Sequence, residues 1–353
     1  MEEEKKNSHA LLLGAGLFLS MTILSSVARQ EFAAIFGAAP KENQLTAGSG
    51  VFGITPDVLH TPAYFRPEPT LSATAYFVGI LGDPVPLMRQ REAKPLPPAS
   101  LTKLLTALLA AEAVDADELI PFSREAKDAG EKITPVKIGE RFQRDDVIAF
   151  ALVSSANDAA YALAEAVGKK EGAFTFDDAI RIFMQKMNQR AQELDLSASA
   201  FKNPAGLDAD GHTMSAEDIA RLLEYIYDHY PHIFEITRNT EKTIQSAGGT
   251  EYRIENTNEL LGEFPAILAS KTGLTDNAKG TLVMLYPVRN TRHSGANKIK
   301  RDSENEDGNT RYDRISHGVN PLRNGRTASI VILGSENRFE DGRKIIKWLE
   351  EEF

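Results

Sequence analysis

Ser100-Leu101-Thr102-Lys103 places a primary amine three residues after a hydroxyl. Residues three apart on a helix share a face, so the Lys103 amine can reach Ser100 Oγ. Pro95, Pro97 and Pro98 with Ala99 end an extended run, and an apolar helix is predicted to begin at the serine. A serine hydroxyl is a weak nucleophile at neutral pH and needs an adjacent base. Lysine can be that base only where burial or a nearby cation lowers its pKa. Burial fits here, because residues 101–114 (LTKLLTALLAAEAV) are apolar nearly all round. The pattern alone also fits a plain helix N-cap serine. Ser199-Ala200-Phe201-Lys202 repeats it but runs into Asn203-Pro204, which disfavours a helix.

Two further groupings carry polar chemistry. Ser155-Ala156-Asn157 sits between two helical stretches, where a hydroxyl could relay a proton and an amide could bind an amide. Capping of the next helix is the structural alternative, and Ser303/Asn305 and Ser335/Asn337 share the spacing. Lys271-Thr272-Gly273 ends a predicted strand over 266–270. A strand edge beside a cleft can pair with an extended peptide, and glycine permits close approach. Lys271 adds positive charge and Thr272 a hydroxyl for a carboxylate. A polar strand end entering a turn would read the same way.

The elements that must position these groups follow a simple order. Strands are predicted at 73–81 and 86–90, and helices at 101–114, 145–153, 156–168, 177–193 and 215–229. A turn-rich loop, KNPAGLDADGHT, covers 202–213. Strands return at 241–246, 250–255, 266–271, 281–288 and 328–333, and a helix closes at 340–350. Strands, then helices, then strands indicate one sheet completed by distant segments, with a helical insertion between them. Residues 289–326 carry nine Lys/Arg and five Asp/Glu with few large apolar side chains, so a disordered insertion is expected.

Composition narrows the function. The net charge of −10 leaves no broad basic field for nucleic acid. The absence of cysteine removes disulfides, thiolate metal sites and cysteine nucleophiles. Residues 10–28 form 19 uncharged residues, close to the ~20 that span a bilayer. Either an uncleaved membrane anchor or a cleaved leader fits, with Ser26-Val27-Ala28 as the small-x-small site. Both readings put the bulk of the chain outside the cytoplasm.

The three groupings occur in a fixed order: helix-start serine, Ser-x-Asn, Lys-Thr-Gly. This type of triple belongs to penicillin-binding proteins and β-lactamases. With PPASLTKLLTALLAAE, SSANDAAYALAEAVG, FKNPAGLDADGHTMSAEDIARLL, NTNELL and SKTGLTDNAKG, the chain resembles the D-alanyl-D-alanine carboxypeptidases among the low-molecular-mass penicillin-binding proteins. The similarity runs from about 72 to 350.

That resemblance implies an α/β serine-peptidase fold: an antiparallel sheet of about five strands, flanked by helices, with a helical insertion over about 101–235. It implies a leader or anchor at 1–30, a linker at 31–70 and a catalytic domain at 71–353. Ser100 would attack the penultimate D-Ala carbonyl of a peptidoglycan stem peptide, and water would release the acyl-enzyme. Lys103 would be the general base and Ser155 the proton relay. Asn157 would bind the substrate amide, Lys271 would hold Ser155 and help keep Lys103 neutral, and Thr272 would bind the terminal carboxylate. Gly273 completes that motif, and the backbone N–H groups of Ser100 and Leu274 would form the oxyanion hole. Arg338 would help bind the carboxylate. No cofactor or metal is implied, and β-lactams would be covalent inhibitors. Leu274 stands where some relatives carry histidine, and Ala156 where they often carry glycine. Many relatives add a β-rich domain and an amphipathic membrane helix after the catalytic domain. With the sequence given running only to Phe353, residues 10–28 are expected to supply the attachment to the cytoplasmic membrane.

Other readings stay open. A DD-endopeptidase would use the same residues, and a catalytically silent wall-binding protein would keep the fold. A class A β-lactamase needs a deacylating glutamate, and Glu193 lies in a helical pattern instead. A zinc peptidase would need ligand spacing that is absent: His229 and His232 are separated by Pro231 and read as surface residues, and His212 as a loop residue. Tyr225/Tyr227 and Phe174/Phe176 read as core or edge packing.

Overall fold

The computed structural model describes residues 67–288 and 326–353. The apolar stretch 10–28, nearly all of the linker and the insertion up to residue 325 lie outside the described residues. Among those described, no helix is long and apolar enough to cross a membrane.

The chain opens with β1 (Ala75–Ile80) and the short β2 (Met88–Gln90). A 3-10 turn, Ala99–Thr102, leads directly into α1 (Lys103–Ala113). A helical region follows: α2 (Arg124–Asp128), α3 (Arg144–Leu152), α4 (Asn157–Lys170), α5 (Phe176–Glu193), α6 (Ala216–His229) and α7 (His232–Thr237). A ribbon of β3 (Leu119–Pro121) and β4 (Arg141–Gln143) brackets α2. Next come β5 (Glu241–Gln245), β6 (Glu251–Glu255) and a one-turn helix α8 (Leu260–Glu263). The chain ends with β7 (Ala269–Thr275), β8 (Lys279–Val288), β9 (Arg326–Ser335) and α9 (Arg338–Glu352).

The main sheet has the order β2-β1-β9-β8-β7 and is antiparallel throughout. Both of its faces are covered, so its central strands read as unbroken apolar runs. Val283, Leu285, Val331 and Leu333 face the core shared with the helices. Leu282, Met284, Ile330 and Ile332 face α9 through Ile345, Ile346 and Leu349. Successive strand side chains alternate between faces, which divides one run between two cores.

The structure corrects several sequence expectations. The strand read at 266–271 is β7, shifted to 269–275, so Lys271-Thr272-Gly273 lies within a strand rather than at its end. Pairing of Thr275 with Lys279 through a three-residue turn extends it, with Lys279 in the left-handed region at φ 54°. The strands at 241–245 and 251–255 form a separate two-stranded ribbon, not part of the main sheet. The β3–β4 ribbon was too short to show periodicity. It is anchored by Phe122, Phe142 and Phe150, whose rings meet edge to face at 5.3–5.8 Å. Phe174 is 96% exposed, not packed, whereas Phe176 lies beside Tyr161. Pro231 does separate His229 from His232, but His232 is only partly exposed, with Nε2 buried and without a partner among the described residues. It packs against Tyr230 because the chain reverses into α7. His229 stacks on Tyr225 at 4.2 Å.

Candidate active site

Ser100 sits on the 3-10 turn just before α1, where the extended Pro95–Pro98 segment stops. That segment is held by Leu96, which exchanges backbone hydrogen bonds with Met214, and by Thr281 Oγ1, which donates to Pro98 O. Ala99 then turns through φ 49°, a strained conformation for a residue with a Cβ. The turn aims Ser100 into a cleft between α1, the start of α4 and β7. Gly273 is where β7 touches the turn: a Cβ there would lie 2.8 Å from Ser100 N and 2.4 Å from Thr281 Oγ1.

Lys103 Nζ lies 2.8 Å from Ser100 Oγ, 2.8 Å from Asn157 Oδ1 and 2.7 Å from Ala205 O. The last two atoms can only accept. A neutral amine would give its two hydrogens to them, leaving its lone pair toward Ser100, the one partner that can donate. This arrangement sets up a base. Lys103 is fully buried, and burial, with Lys132 adding repulsion, pulls its pKa from 10.5 to about 7.

Ser155 lies on the opposite wall at φ 61°, the second strained residue of the cleft. Lys271 Nζ donates to its Oγ at 2.8 Å and to Thr272 O at 2.6 Å. Lys271 is also buried, and its pKa falls well below the usual lysine range through burial and the nearby Lys103, Lys132 and Arg338. Two buried ammonium groups this close disfavour charging both. Thr272 Oγ1 is 2.6 Å from Thr257 Oγ1. Leu274 presents a side chain that is 64% exposed at the rim. Arg338, the first residue of α9, packs over Phe339 at 4.4 Å and lies against Gly280. Its buried Nε has no partner among the described residues, and burial lowers its pKa.

The structure therefore gathers Ser100, Lys103, Ser155, Asn157, Lys271, Thr272 and Gly273 into one cleft, with Leu274 at its rim and Arg338 within electrostatic reach of Lys271. The look-alike motifs do other work. Ser199 Oγ donates to Asp218, and Lys202 lies outside any helix. Ser335 Oγ donates to Asp341, and Asn337 caps α9. Among the described residues, no group of three or more His, Asp or Glu side chains is placed to hold a metal ion.

The loop at 202–213 forms the cleft floor, a role its sequence does not announce. Asn203 Oδ1 accepts from the backbone N–H groups of Ala205, Gly206 and Leu207. This fold of the loop aims the Ala205 carbonyl at Lys103. Gly206 has φ 82°, and a Cβ there would lie 1.8 Å from Ala99 O, so only glycine fits beneath the Ala99–Ser100 turn. His212 is buried with Nε2 3.0 Å from Thr102 Oγ1, and burial pulls its pKa to about 4. The density of turn formers at 202–213 marked the loop but not its contacts. Replacing Asn203 by alanine leaves up to three partly buried donors unsatisfied and is expected to cost about 2 kcal/mol. Urea denaturation checks this; an unchanged midpoint would show that the loop holds itself without the amide.

The profile of the D-alanyl-D-alanine carboxypeptidase family matches residues 84–293. The chain belongs to this family. Among curated relatives, the D-alanyl-D-alanine carboxypeptidase DacF of Bacillus subtilis is 31% identical over 202 residues, covering 56% of this chain and 49% of the relative. A D-alanyl-D-alanine endopeptidase of Pseudomonas aeruginosa is 30% identical over 195 residues, covering 54% and 59%. The chain thus spans about half to three-fifths of the length of these relatives. A Streptomyces DD-transpeptidase crystal structure superposes with a TM-score of 0.65 at 19% identity, covering 80% of this chain and 98% of that one. A D-alanyl-D-alanine carboxypeptidase from Mycobacterium tuberculosis gives 0.62 at 22% identity, covering 81% and 94%. The fold is therefore that of the DD-peptidases, α/β with an antiparallel sheet and helices on it.

Proposed function

We propose that this chain is a serine-type D-Ala-D-Ala carboxypeptidase that trims peptidoglycan stem peptides. The observation that carries the reading is Lys103, buried, with two acceptor-only partners and its third contact on Ser100 Oγ. In this reading Lys103 takes the Ser100 proton as Oγ bonds to the penultimate D-Ala carbonyl carbon. Negative charge then gathers on the carbonyl oxygen, facing the backbone N–H groups of Ser100 and Leu274; one such donor is typically worth ~10²–10³ in rate. Asn157 holds the substrate amide. The C–N bond breaks as Ser155, fixed by Lys271, gives the departing amine a proton and takes in its place the one held on Lys103, which is left neutral again. Thr272 and Arg338 receive the carboxylate of the leaving D-Ala. Water then gives a proton to Lys103 as its oxygen bonds to the ester carbon, and that proton returns to Ser100 Oγ as the ester C–O bond breaks. β-Lactams would enter the same path and stop at the acyl-enzyme.

The endopeptidase reading is kept, because one relative of 30% identity carries that name. Product analysis separates the two. Incubation with monomeric pentapeptide fragments is expected to release free D-Ala, and incubation with crosslinked dimers to leave them dimeric. Conversion of dimers to monomers without D-Ala release would replace the first reading by the second. A silent wall-binding protein would give neither product.

The apolar stretch 10–28 supports a place at the outer face of the cytoplasmic membrane, or beyond it if cleaved. Cell fractionation with N-terminal sequencing of the mature protein tests this. Recovery in the cytosol with residues 1–30 intact would refute it.

A further inference from the structure

His212 is 3% exposed, and the proposed reaction gives it no task. Its ring joins the floor loop to the turn that carries Ser100. On the loop side, Asn203 Oδ1 accepts three backbone N–H groups, so the other end of that amide, Nδ2, can only donate. Nδ2 donates to Leu207 O at 2.9 Å and lies 3.4 Å from His212 Nδ1. The backbone N–H of Lys202 donates to the same Nδ1 at 3.4 Å. Two donors facing Nδ1 make it the acceptor, and the proton of the neutral ring is therefore assigned to Nε2. Nε2–H donates to Thr102 Oγ1 at 3.0 Å, across 110 residues of chain. Phe201 meets the ring edge to face at 5.7 Å. Thr102 stands between Ser100 and Lys103, and a Cβ on Gly206 would lie 2.9 Å from its Oγ1, so loop and turn touch at this point. Beyond it, Thr106 Oγ1 donates to Pro204 O at 2.7 Å and Lys103 Nζ to Ala205 O at 2.7 Å. Lys103 keeps its lone pair on Ser100 only while Asn157 Oδ1 and Ala205 O take its two hydrogens. An Ala205 carbonyl displaced by about 1 Å frees one hydrogen to turn toward Ser100 Oγ, and a displacement of that size can cost about 10²-fold in rate.

We propose that His212 is a positioning residue for the Ser100–Lys103 pair: its neutral imidazole ties Thr102 to the floor loop and so holds the Ala205 carbonyl where it takes one hydrogen of the Lys103 amine. This rests on the acyl-enzyme reading, in which that amine is the base. The hydrogen bonds of His212 go to Thr102, Lys202, Asn203 and Ala209, none of which holds the peptide in that reading. Cutting the link therefore slows the chemical step and leaves ligand binding in place.

The test follows acylation by benzylpenicillin against its concentration, which gives a limiting rate and a half-saturating concentration. It compares the wild-type protein with His212→Asn, His212→Gln, Thr102→Val and Thr102→Ser. Asparagine places an acceptor near the Nδ1 position but does not reach Thr102, whereas glutamine carries a donor far enough to meet it. His212→Asn and Thr102→Val should lower the limiting rate about 10- to 100-fold, with the half-saturating concentration changed little. His212→Gln and Thr102→Ser keep a donor and an acceptor across the gap and should recover most of that loss. His212→Asn combined with Thr102→Val should be no slower than either alone, because both cut the same link. Thermal melting shows which variants are folded, and the Thr102 pair reads the link from the other end if His212→Asn is not. A weaker half-saturation with an unchanged limiting rate would overturn the proposal. Equal rate losses in His212→Asn and His212→Gln would also overturn it and make the ring a packing element. An adduct that forms at the same rate in every variant would overturn this inference alone. A folded wild-type protein that takes no adduct would overturn the acyl-enzyme reading, and this inference with it.

Discussion

Replacing Ser100 by alanine is expected to remove the benzylpenicillin adduct entirely and to lower D-Ala release at least about 10⁴-fold, the scale seen when an enzyme loses its covalent nucleophile. The size follows from geometry. In the DD-peptidase reading, Lys103 has a single donor-capable partner among the described residues, Ser100 Oγ at 2.8 Å. Lys103 keeps its contacts to Asn157 and Ala205 in the variant, so the fold should hold within about 1 kcal/mol. Intact mass spectrometry after brief exposure to benzylpenicillin, followed by peptide mapping, checks it. An adduct that survives in Ser100→Ala, or maps to another residue, would move the chemistry elsewhere. A wild-type protein that is folded but unmodified would end the acyl-enzyme reading.

The second large effect is on pH. Burial pulls Lys103 to about 7, so above that pH the amine is free to accept the Ser100 proton. Below it the amine is charged and cannot. The acylation rate constant should therefore fall about tenfold per unit as pH drops below 7, and level off above it. The charged neighbours bearing on Lys103 are Lys132, which lowers its pKa, and Asp158, which raises it. Lys271 is held well below the usual lysine range by burial first and then by the nearby Lys103, Lys132 and Arg338. Acylation by benzylpenicillin measured from pH 4.5 to 9 tests it. A profile flat down to about pH 4 would exclude a lysine base tuned near neutrality.

Much of the fold was legible because its signals are long. α1 is apolar nearly all round, and β8 and β9 carry the apolar runs 282–286 and 330–333, as elements buried on both faces must. β3 and β4, three residues each, carry no period to detect; their position depends on a cluster of three phenylalanines that only tertiary packing reveals. In the site, Ser100 and Lys103 were readable because one helical turn links them. Ser155, Asn157 and Lys271 were readable only as a set, since each motif alone also fits a cap or a strand end. Ala205 contributes a backbone carbonyl, which no residue identity announces. Lys132 is fixed beside Asn157 by a backbone hydrogen bond that sequence spacing does not encode. Phe174 shows the opposite failure: an aromatic residue taken for packing stands in solvent.

The seam between the ends of the described chain has a consequence in time. Ser72 donates to Asp341 across 269 residues, and β1 pairs along its whole length with β9. Gly273 and Thr281, which press on the Ala99–Ser100 turn, lie on β7 and β8, and β8 is completed by β9. Ser100 is therefore made early but supported late. A ribosome must finish more than two hundred further residues before the turn has a wall behind it. Pairings this distant close slowly, because loop-closure entropy is paid before any contact repays it. In the DD-peptidase reading, the nascent chain is therefore silent until β9 docks between β1 and β8.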